Sequence, residues 1–328
     1  MADEDPDNLI ADLTELGGAG LQVVELDGHR SAPGTGVVRI GVHRGGPLPA
    51  IDPETFDILF SVAPDAPPPW VGVAPGALEE TLDHLRAVAA RQPVATAVAA
   101  QVIRATLALP FDQALAQESV AYSMLLASRG FRAWRADHPP RAKPKRDSAR
   151  IGFNPVGSPI RILVTRPEAR NAFDAQMRDA LCDVFAFALD HPDSPPVVLR
   201  GSGPCFSAGG DLDEFGSAKD VGLAHLIRTL RSPARLAHDL GERLTVHLHG
   251  TCIGAGIEVP AAAGRVIAQA DASFRLPEVS MGLIPGAGGT VTIPRRIGRH
   301  RACYMAISGR EIDLATALAW GLVDEVEA

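Results

Sequence analysis

The chain has 328 residues and a mass of 34.5 kDa, enough for about two average domains, and its 46% apolar residues exclude disorder over the whole length. It carries 31 Lys and Arg against 39 Asp and Glu. This net charge of −8 disfavours nucleic acid as a partner, because phosphate neutralisation supplies most of that affinity. The four cysteines have neither disulfide-framework nor zinc-ligand spacing, which is typical of a reducing compartment.

The N-terminus predicts neither a secretory leader nor a membrane anchor. The first 15 residues hold six acids and no base, whereas a signal peptide begins with basic residues. No uninterrupted apolar stretch of about 20 residues occurs, and a membrane-spanning helix needs one. We therefore expect a cytoplasmic protein with no membrane partner.

The first 76 residues predict an acidic tail followed by short strands. Residues 1–19 are acidic and end in glycines, so we expect this tail to be mobile. Apolar runs at 21–26, 37–43, 56–62 and 70–73 are separated by Gly and Pro clusters, a pattern typical of short strands.

A helical pattern replaces the strand pattern from residue 77 onward. Within 77–92, apolar residues recur about one helical turn apart. Two prolines separate this helix from helical stretches at 94–108 and 111–128. We predict a helical block over 77–138.

The segment 129–150 is strongly basic, with eight Lys and Arg against two Asp. Prolines keep its second half extended. One interpretation is a solvated linker, which we place at 139–159. The other interpretations are a binding strip for a phosphorylated ligand and, less favoured, a tail that binds nucleic acid.

From residue 160 to the end, strands alternate with helices. We predict strands at 161–166, 195–201, 243–250, 265–270 and 273–276, and helices at 171–189, 221–240 and 255–263. This alternation indicates an α/β region with a largely parallel sheet.

Two glycine-rich turns could present free backbone N–H groups to a ligand. They are GSGPCFSAGGDLDEF (201–215), which follows a strand, and HGTCIGAGIEVPAAAG (249–264), which opens a helix. Free N–H groups at such turns favour an oxygen that carries negative charge, so two facing turns would form an oxyanion hole. Each turn alone is equally consistent with a tight connection.

Two glutamates, 20 residues apart, are candidates for acid–base chemistry. Glu258 and Glu278 both stand at expected helix starts, where an acid can simply complement the helix dipole. Glu258 lies between apolar neighbours, which indicates burial, and burial raises the pKa of a carboxyl group toward neutrality. Both interpretations are open from spacing alone.

Four motifs in this order resemble the crotonase superfamily, which contains enoyl-CoA hydratases and isomerases. They are VTRPEARNAFDAQM (164–177), FSAGGDLDEF (206–215), HGTCIGAGIE (249–258) and SFRLPEVSMGLIPGAGGT (273–290). The segment SGREIDLATALAWGLVDEV (308–326) also resembles the family, so the likeness covers about half of the chain. It is closest to enoyl-CoA hydratase and implies an α/β fold, a crotonase-like ββα spiral core with a helical cap block.

The resemblance also implies roles for individual residues. Ala208 and Ala255 correspond to the two oxyanion-hole donors, Glu258 and Glu278 to the paired catalytic acids of true hydratases, and Gly286 to a glycine that positions water. A trans-2-enoyl-CoA would be hydrated, with coenzyme A as part of the substrate and with neither a metal nor another cofactor.

The same resemblance implies partners and a metabolic setting. Arg166 and Arg170 would approach the CoA phosphates. We expect a homotrimer or dimer of trimers that serves fatty acid metabolism. Sibling reactions of the family (enoyl-CoA isomerase, dehydratase or acyl-CoA hydrolase) and a catalytically silent partner subunit are the alternatives.

The order of segments departs from the family pattern. The chain ends soon after GLVDEV, where family members usually continue into helices that cover the acyl-CoA pocket, whereas residues 77–146 resemble that terminal helical segment. We hypothesise a permuted or fused chain whose N-terminal block supplies the cap. Its predicted parts are the tail (1–19), a β-rich degenerate crotonase-like segment (20–76), the cap (77–138), the linker (139–159) and the catalytic core (160–328).

Overall fold

The computed structural model describes residues 20–26, 38–63, 65–141 and 148–327. The tail predicted for 1–19 lies outside the described residues, as do three bases of the basic segment, Lys143, Lys145 and Arg146. None of the described helices is long and apolar enough to cross a bilayer.

The N-terminal region forms a parallel sheet whose four strands pair in chain order. They are β1 (Leu21–Glu25), β2 (Val38–His43), β3 (Ile58–Ser61) and β4 (Val71–Gly72), which confirms the four predicted strands. Strands β2 and β3 are buried along their whole length, as parallel strands usually are. That this sheet is a degenerate crotonase-like unit stays a prediction.

Four helices follow within the segment predicted to be helical. They are α1 (Leu78–Arg91), α2 (Pro93–Thr106), α3 (Phe111–Leu126) and α4 (Arg129–Asp137). Proline at the first position of α2 suits a site where no backbone donor is needed. The Ser128 hydroxyl accepts the Phe131 N–H at 3.2 Å and so begins α4, which makes the first part of the basic segment helical.

The C-terminal half contains two sheets and seven helices among its described residues. The strands are β5 (Ile151–Asn154), β6 (Ile160–Val164), β7 (Val197–Gly201), β8 (Leu244–Leu248), β9 (Thr251–Ile253), β10 (Arg265–Ala268), β11 (Ser273–Arg275), β12 (Ile312–Asp313) and β13 (Glu325–Val326). The helices are α5 (Ala175–Asp190), α6 (Val221–Leu230), α7 (Pro233–Leu240), α8 (Ala255–Glu258), α9 (Gly289–Ile297), α10 (Arg299–Ser308) and α11 (Leu314–Trp320).

The larger C-terminal sheet has the strand order β13-β10-β8-β7-β6-β5, and only the edge strand β5 is antiparallel to its neighbour. A second sheet has the order β12-β11-β9, with β9 and β11 parallel. The predicted α/β region with a largely parallel sheet is therefore confirmed.

Three predicted helices differ in their bounds. The helix predicted at 171–189 begins at Ala175, because the Asp174 carboxylate caps it by accepting the Met177 N–H at 2.8 Å. The stretch 221–240 is two helices, since Ser232 caps a new helix that begins at Pro233. The helix predicted at 255–263 is the single turn α8, followed by a 3₁₀ turn.

The two halves of the chain share one hydrophobic core, which joins β2, β3 and α1–α4 to the C-terminal strands and helices. Polar contacts reinforce the junction: the Thr106 hydroxyl donates to the Thr290 carbonyl at 2.6 Å, and the Arg301 guanidinium donates to the Trp70 and Ala66 carbonyls. The N-terminal helices are thus packed against the loops that carry the motifs.

Candidate active site

A cavity of about 340 Å³ lies between α3 and the motif-bearing loops of the C-terminal half. Residues of α3, α6 and α8 line it, together with the loop after β7 and the loop that precedes α9. Both glutamates predicted to be catalytic lie in its wall. The structure therefore brings together residues that are far apart in the sequence.

Glu258 ends the single-turn helix α8, and only 2% of its surface is exposed. Its Oε2 accepts the backbone N–H groups of Ala287 and Gly289 at 2.7 and 2.8 Å. Burial raises the pKa of Glu258 to about 7, although the two hydrogen bonds favour the charged carboxylate. A carboxyl group with this pKa exchanges a proton near neutrality, as a general base requires.

Glu278 begins a 3₁₀ turn after β11 and faces the same point as Glu258. A Cβ added at Gly254 would overlap Oε1 of Glu278 and lie 3.6 Å from Oε1 of Glu258. Oε2 of Glu278 is buried and has no hydrogen-bond partner among the described residues. Burial, and then repulsion from Glu258, raises the pKa of Glu278 well above its ordinary value. Glu278 therefore stays protonated at a pH at which Glu258 is already ionised.

A third buried glutamate, Glu118 on α3, was missed by the sequence analysis. Its Oε1 accepts the Gly288 N–H, and its Oε2 accepts the N–H and the hydroxyl of Thr290, all at 2.7–2.8 Å. These donors alternate along the chain with the two N–H groups that hold Glu258. Glu118 thus fixes the start of α9 and, through it, the orientation of Glu258.

The environment of Glu118 also couples it electrostatically to Glu258 and Glu278. Burial, and then repulsion from Glu258, raises the pKa of Glu118 to about 8, against three hydrogen bonds that favour its charged form. The signal available in the sequence was a charged residue on the otherwise apolar inward face of a helix, between Leu115 and Tyr122. A salt-bridging role would have explained that position equally well.

The structure contradicts the prediction that Ala208 is an oxyanion-hole donor. The Ala208 N–H donates to the Arg170 carbonyl at 2.9 Å, so it is not available to a ligand. Gly210, two residues later, lines the cavity beside Ala255, and neither of their N–H groups has an acceptor among the described residues. The left-handed backbone of Gly209 (φ +92°) turns the chain between the two positions.

The predicted donor Ala255 and the predicted water-positioning residue Gly286 both lie at the cavity. Ala255 is the first residue of α8, where a helix leaves its N–H unpaired. Gly286 lies against the ring of Tyr122, which a Cβ at this position would overlap. Glycine at 286 therefore permits close approach of α3, and its role toward water stays a prediction.

The two arginines predicted to bind CoA have different environments. Arg166 is buried, and its guanidinium donates to the Asp211 carboxylate at 2.9 Å and lies 3.3 Å from the Asp174 carboxylate. These ion pairs brace the SAGGD turn against the start of α5, so the prediction that Arg166 reaches the CoA phosphates is wrong. Arg170 is exposed, and its contact with the site is made by its carbonyl.

The C-terminal half of the chain is similar to known proteins. A family model described as Enoyl-CoA hydratase/isomerase matches residues 157–328. Enoyl-CoA isomerase/hydratase fer4 of Mycosarcoma maydis is 32% identical over 174 residues, which cover 50% of this chain and 64% of that protein. Carnitinyl-CoA dehydratase of Proteus mirabilis is 30% identical over 181 residues, which cover 52% and 65%. The chain thus spans less than two thirds of the length of these relatives.

Solved structures agree with the sequence relatives. Enoyl-CoA hydratase from Thermoplasma volcanium GSS1 superposes with a TM-score of 0.50 at 34% identity, over 55% of this chain and 72% of that one. The family match covers more than half of the chain and contains all four motifs. By its sequence and its crotonase fold, the chain belongs to the enoyl-CoA hydratase/isomerase family of the crotonase superfamily.

Proposed function

We propose that the protein is an enoyl-CoA hydratase, which adds water across the 2,3 double bond of a trans-2-enoyl-CoA. One observation carries this proposal: two buried carboxyl groups with different surroundings face the same point of a cavity, beside two unpaired N–H groups. Hydration needs one acid, one base and a site for a developing oxyanion, and the cavity holds a group suited to each.

The surroundings of the two glutamates assign their roles. Glu258 accepts two N–H groups, which favour its charged form, so it is the base that takes a proton from water. Glu278 has an unpaired, buried oxygen and a strongly raised pKa, so it is the acid. The water oxygen then bonds to the β-carbon while Glu278 gives its proton to the α-carbon. This leaves Glu258 protonated and Glu278 ionised, and transfer of the proton from Glu258 to Glu278, directly or by exchange with solvent, restores the starting state.

The thioester carbonyl would accept the N–H groups of Gly210 and Ala255. These donors would polarise the conjugated double bond and stabilise the enolate-like transition state. Removal of one such donor in other enzymes typically costs about a hundredfold to a thousandfold in rate. The pair therefore lowers the barrier without any metal or cofactor in the proposed mechanism.

The CoA portion would extend along the basic helix α4. A second cavity of about 580 Å³ adjoins the first, since Leu126, Gly216 and Ala218 line both. Arg132 and Arg135 of α4 lie in its wall, which supports the interpretation of the basic segment as a binding strip for phosphates. Arg170 remains a candidate for the same role.

The test is hydration of crotonyl-CoA, followed as loss of the conjugated-enoyl absorbance. We expect Glu258→Gln and Glu278→Gln each to lower kcat by at least about a hundredfold, since general acid–base catalysis contributes on this scale. Glu242→Gln, which removes an exposed acid outside the cavity, is the control. Full activity in either cavity variant would refute the assigned roles, and an isomerised product would identify a sibling reaction.

A further inference from the structure

Three arginines line the first cavity, and they differ in what balances their charge. Arg178 lies 2.9 Å from the Asp179 carboxylate, and Arg231 lies 2.8 Å from Asp183 and 3.3 Å from Asp179. Arg228, on α6, has no carboxylate within ion-pair distance among the residues that the structure describes. It is therefore a cavity-lining cation without an acidic partner there.

The contacts of Arg228 hold its guanidinium in one orientation. Its Nε donates to the Ser119 hydroxyl at 3.0 Å, and its Nη2 contacts the Ser119 carbonyl at 3.4 Å and the Ser123 hydroxyl. The guanidinium carbon lies 4.8 Å from the centre of the Tyr122 ring, within cation–π distance. Of the five N–H bonds of the group, the two on Nη1 find no acceptor in the described parts of the chain.

Tyr122 connects Arg228 to the reacting centre. Its ring packs on Gly286, directly before the backbone N–H groups that hold Glu258. Tyr122 therefore contacts both the guanidinium and the loop that holds Glu258. Arg228, Tyr122 and Glu258 all line the same cavity, so a substrate bound beside Glu258 shares that cavity with the guanidinium.

The nearby acids do not neutralise Arg228. Glu118 is the acid whose charge acts on it, but both oxygens of Glu118 already accept hydrogen bonds from the start of α9. Burial lowers the pKa of Arg228, so the group is partly removed from water without a compensating anion. A guanidinium in this condition can bind a carboxylate through a charge-assisted hydrogen bond from Nη1, since Nε and Nη2 are already bonded to Ser119 and Ser123.

We propose that Arg228 binds a carboxylate at the distal end of the acyl group, so that the substrates are enoyl-CoA thioesters of short dicarboxylic acids. The free Nη1 of Arg228, its fixed orientation and its place in the same cavity as Glu258 carry this assignment, which rests on the proposed hydratase function. Tyr122 and Ser119 are then the residues that orient the specificity-determining arginine.

The test compares substrates that differ only in the distal carboxylate. The pairs are trans-2-hexenedioyl-CoA with trans-2-hexenoyl-CoA, and trans-glutaconyl-CoA with trans-2-pentenoyl-CoA. We expect kcat/KM to be at least about tenfold higher for the dicarboxylic member of one pair, a difference of about 1.4 kcal/mol. Equal or better turnover of both uncharged members would overturn the proposal while leaving the hydratase function intact.

Two variants distinguish a role of Arg228 in substrate specificity from a purely structural role. Arg228→Gln should reduce the preference for the dicarboxylic substrate to about unity, whereas Arg231→Gln, which removes an acid-paired arginine of the same cavity, should leave it unchanged. Because the preference is a ratio within each variant, partial loss of folded protein does not affect it. An unchanged preference in Arg228→Gln would show that this arginine only joins α6 to α3.

If no enoyl-CoA is hydrated, a binding measurement still tests the carboxylate site at Arg228. Calorimetry with adipoyl-CoA and hexanoyl-CoA measures the same preference without a double bond to hydrate. Tighter binding of adipoyl-CoA that is lost in Arg228→Gln would support the carboxylate site even if no enoyl-CoA is turned over. Equal affinities would overturn it.

Discussion

At the scale of single residues, the backbone decides which amides can stabilise an oxyanion. The SAGG sequence contains several N–H groups, and their order alone does not tell which one faces a cavity. Ala208 is paired with Arg170 across the turn, whereas Gly210 lies at the cavity with its N–H free of partners among the described residues. We therefore propose Gly210, in place of Ala208, as the donor that pairs with Ala255.

This assignment predicts which amides respond to a bound thioester. Acetoacetyl-CoA carries an enolisable carbonyl that imitates the charge developed on hydration. With protein labelled with ¹⁵N at alanine and glycine, we expect its binding to shift the amide resonances of Gly210 and Ala255 downfield. The Ala208 resonance should stay in place. A shift at Ala208 without one at Gly210 would contradict this assignment and support Ala208 as the donor.

The three buried glutamates predict a bell-shaped dependence of rate on pH. The base Glu258 must be ionised, and its pKa is about 7, so the rate falls as the pH drops below about 7. The acid Glu278 must be protonated, so the rate also falls at high pH, where Glu278 loses its proton. These limits belong to a coupled set of groups rather than to isolated residues.

The variant Glu118→Gln tests whether the charge of Glu118 affects the pKa of Glu278. Repulsion from Glu118 raises the pKa of Glu278, so removal of that charge makes Glu278 easier to deprotonate. We expect the alkaline limb of the kcat profile to move to lower pH, with a lower kcat because the amide cannot accept all three donors at the start of α9. An alkaline limb in the same place as in the wild type and in the Glu242→Gln control would contradict the coupling.

At the scale of elements, local patterns predicted the existence of helices and strands better than their ends. Apolar runs gave the four N-terminal strands, and periodicity gave α1 to α3. The ends depend on single side chains, such as the Asp174 and Ser232 caps, which shorten one predicted helix and divide another. Asp and Ser are residues that commonly cap helices, so Asp174 and Ser232 indicate these two helix starts in the sequence itself.

The residues of the candidate site also differ in whether the sequence could predict them. Local sequence patterns pointed to Glu258 and Glu278, and the resemblance to the crotonase superfamily added Ala255 and Gly286. All four residues line the cavity. Glu118 and Tyr122 could not be placed from the sequence, since their role arises only where α3 packs on the loop before α9. Such long-range contacts are invisible to local periodicity.

At the scale of the whole molecule, the N-terminal block is part of the candidate site. It supplies Glu118 and Tyr122 to the cavity wall, and its helices share the hydrophobic core of the C-terminal half. We therefore propose that this block covers the acyl pocket within the same chain.

This arrangement predicts that the C-terminal half does not function alone. A chain of residues 150–328 would expose the core surface that α2 and α3 cover and would leave the Gly288 and Thr290 amides without Glu118. We expect this fragment to aggregate, or to have less than about 1% of the full-chain kcat, given the scale of acid–base and positioning effects. Gel filtration and the crotonyl-CoA assay would test this. A monodisperse and fully active fragment would contradict it.

Isotope labelling shows whether this cavity adds water to an enoyl thioester. The protein would be incubated with crotonyl-CoA in water enriched in ¹⁸O, and the product analysed by mass spectrometry. We expect 3-hydroxybutyryl-CoA with one ¹⁸O atom on the β-carbon, formed far more slowly by Glu258→Gln. A product of unchanged mass, or hydrolysis to free CoA, would contradict hydration and assign the site to another reaction of the family.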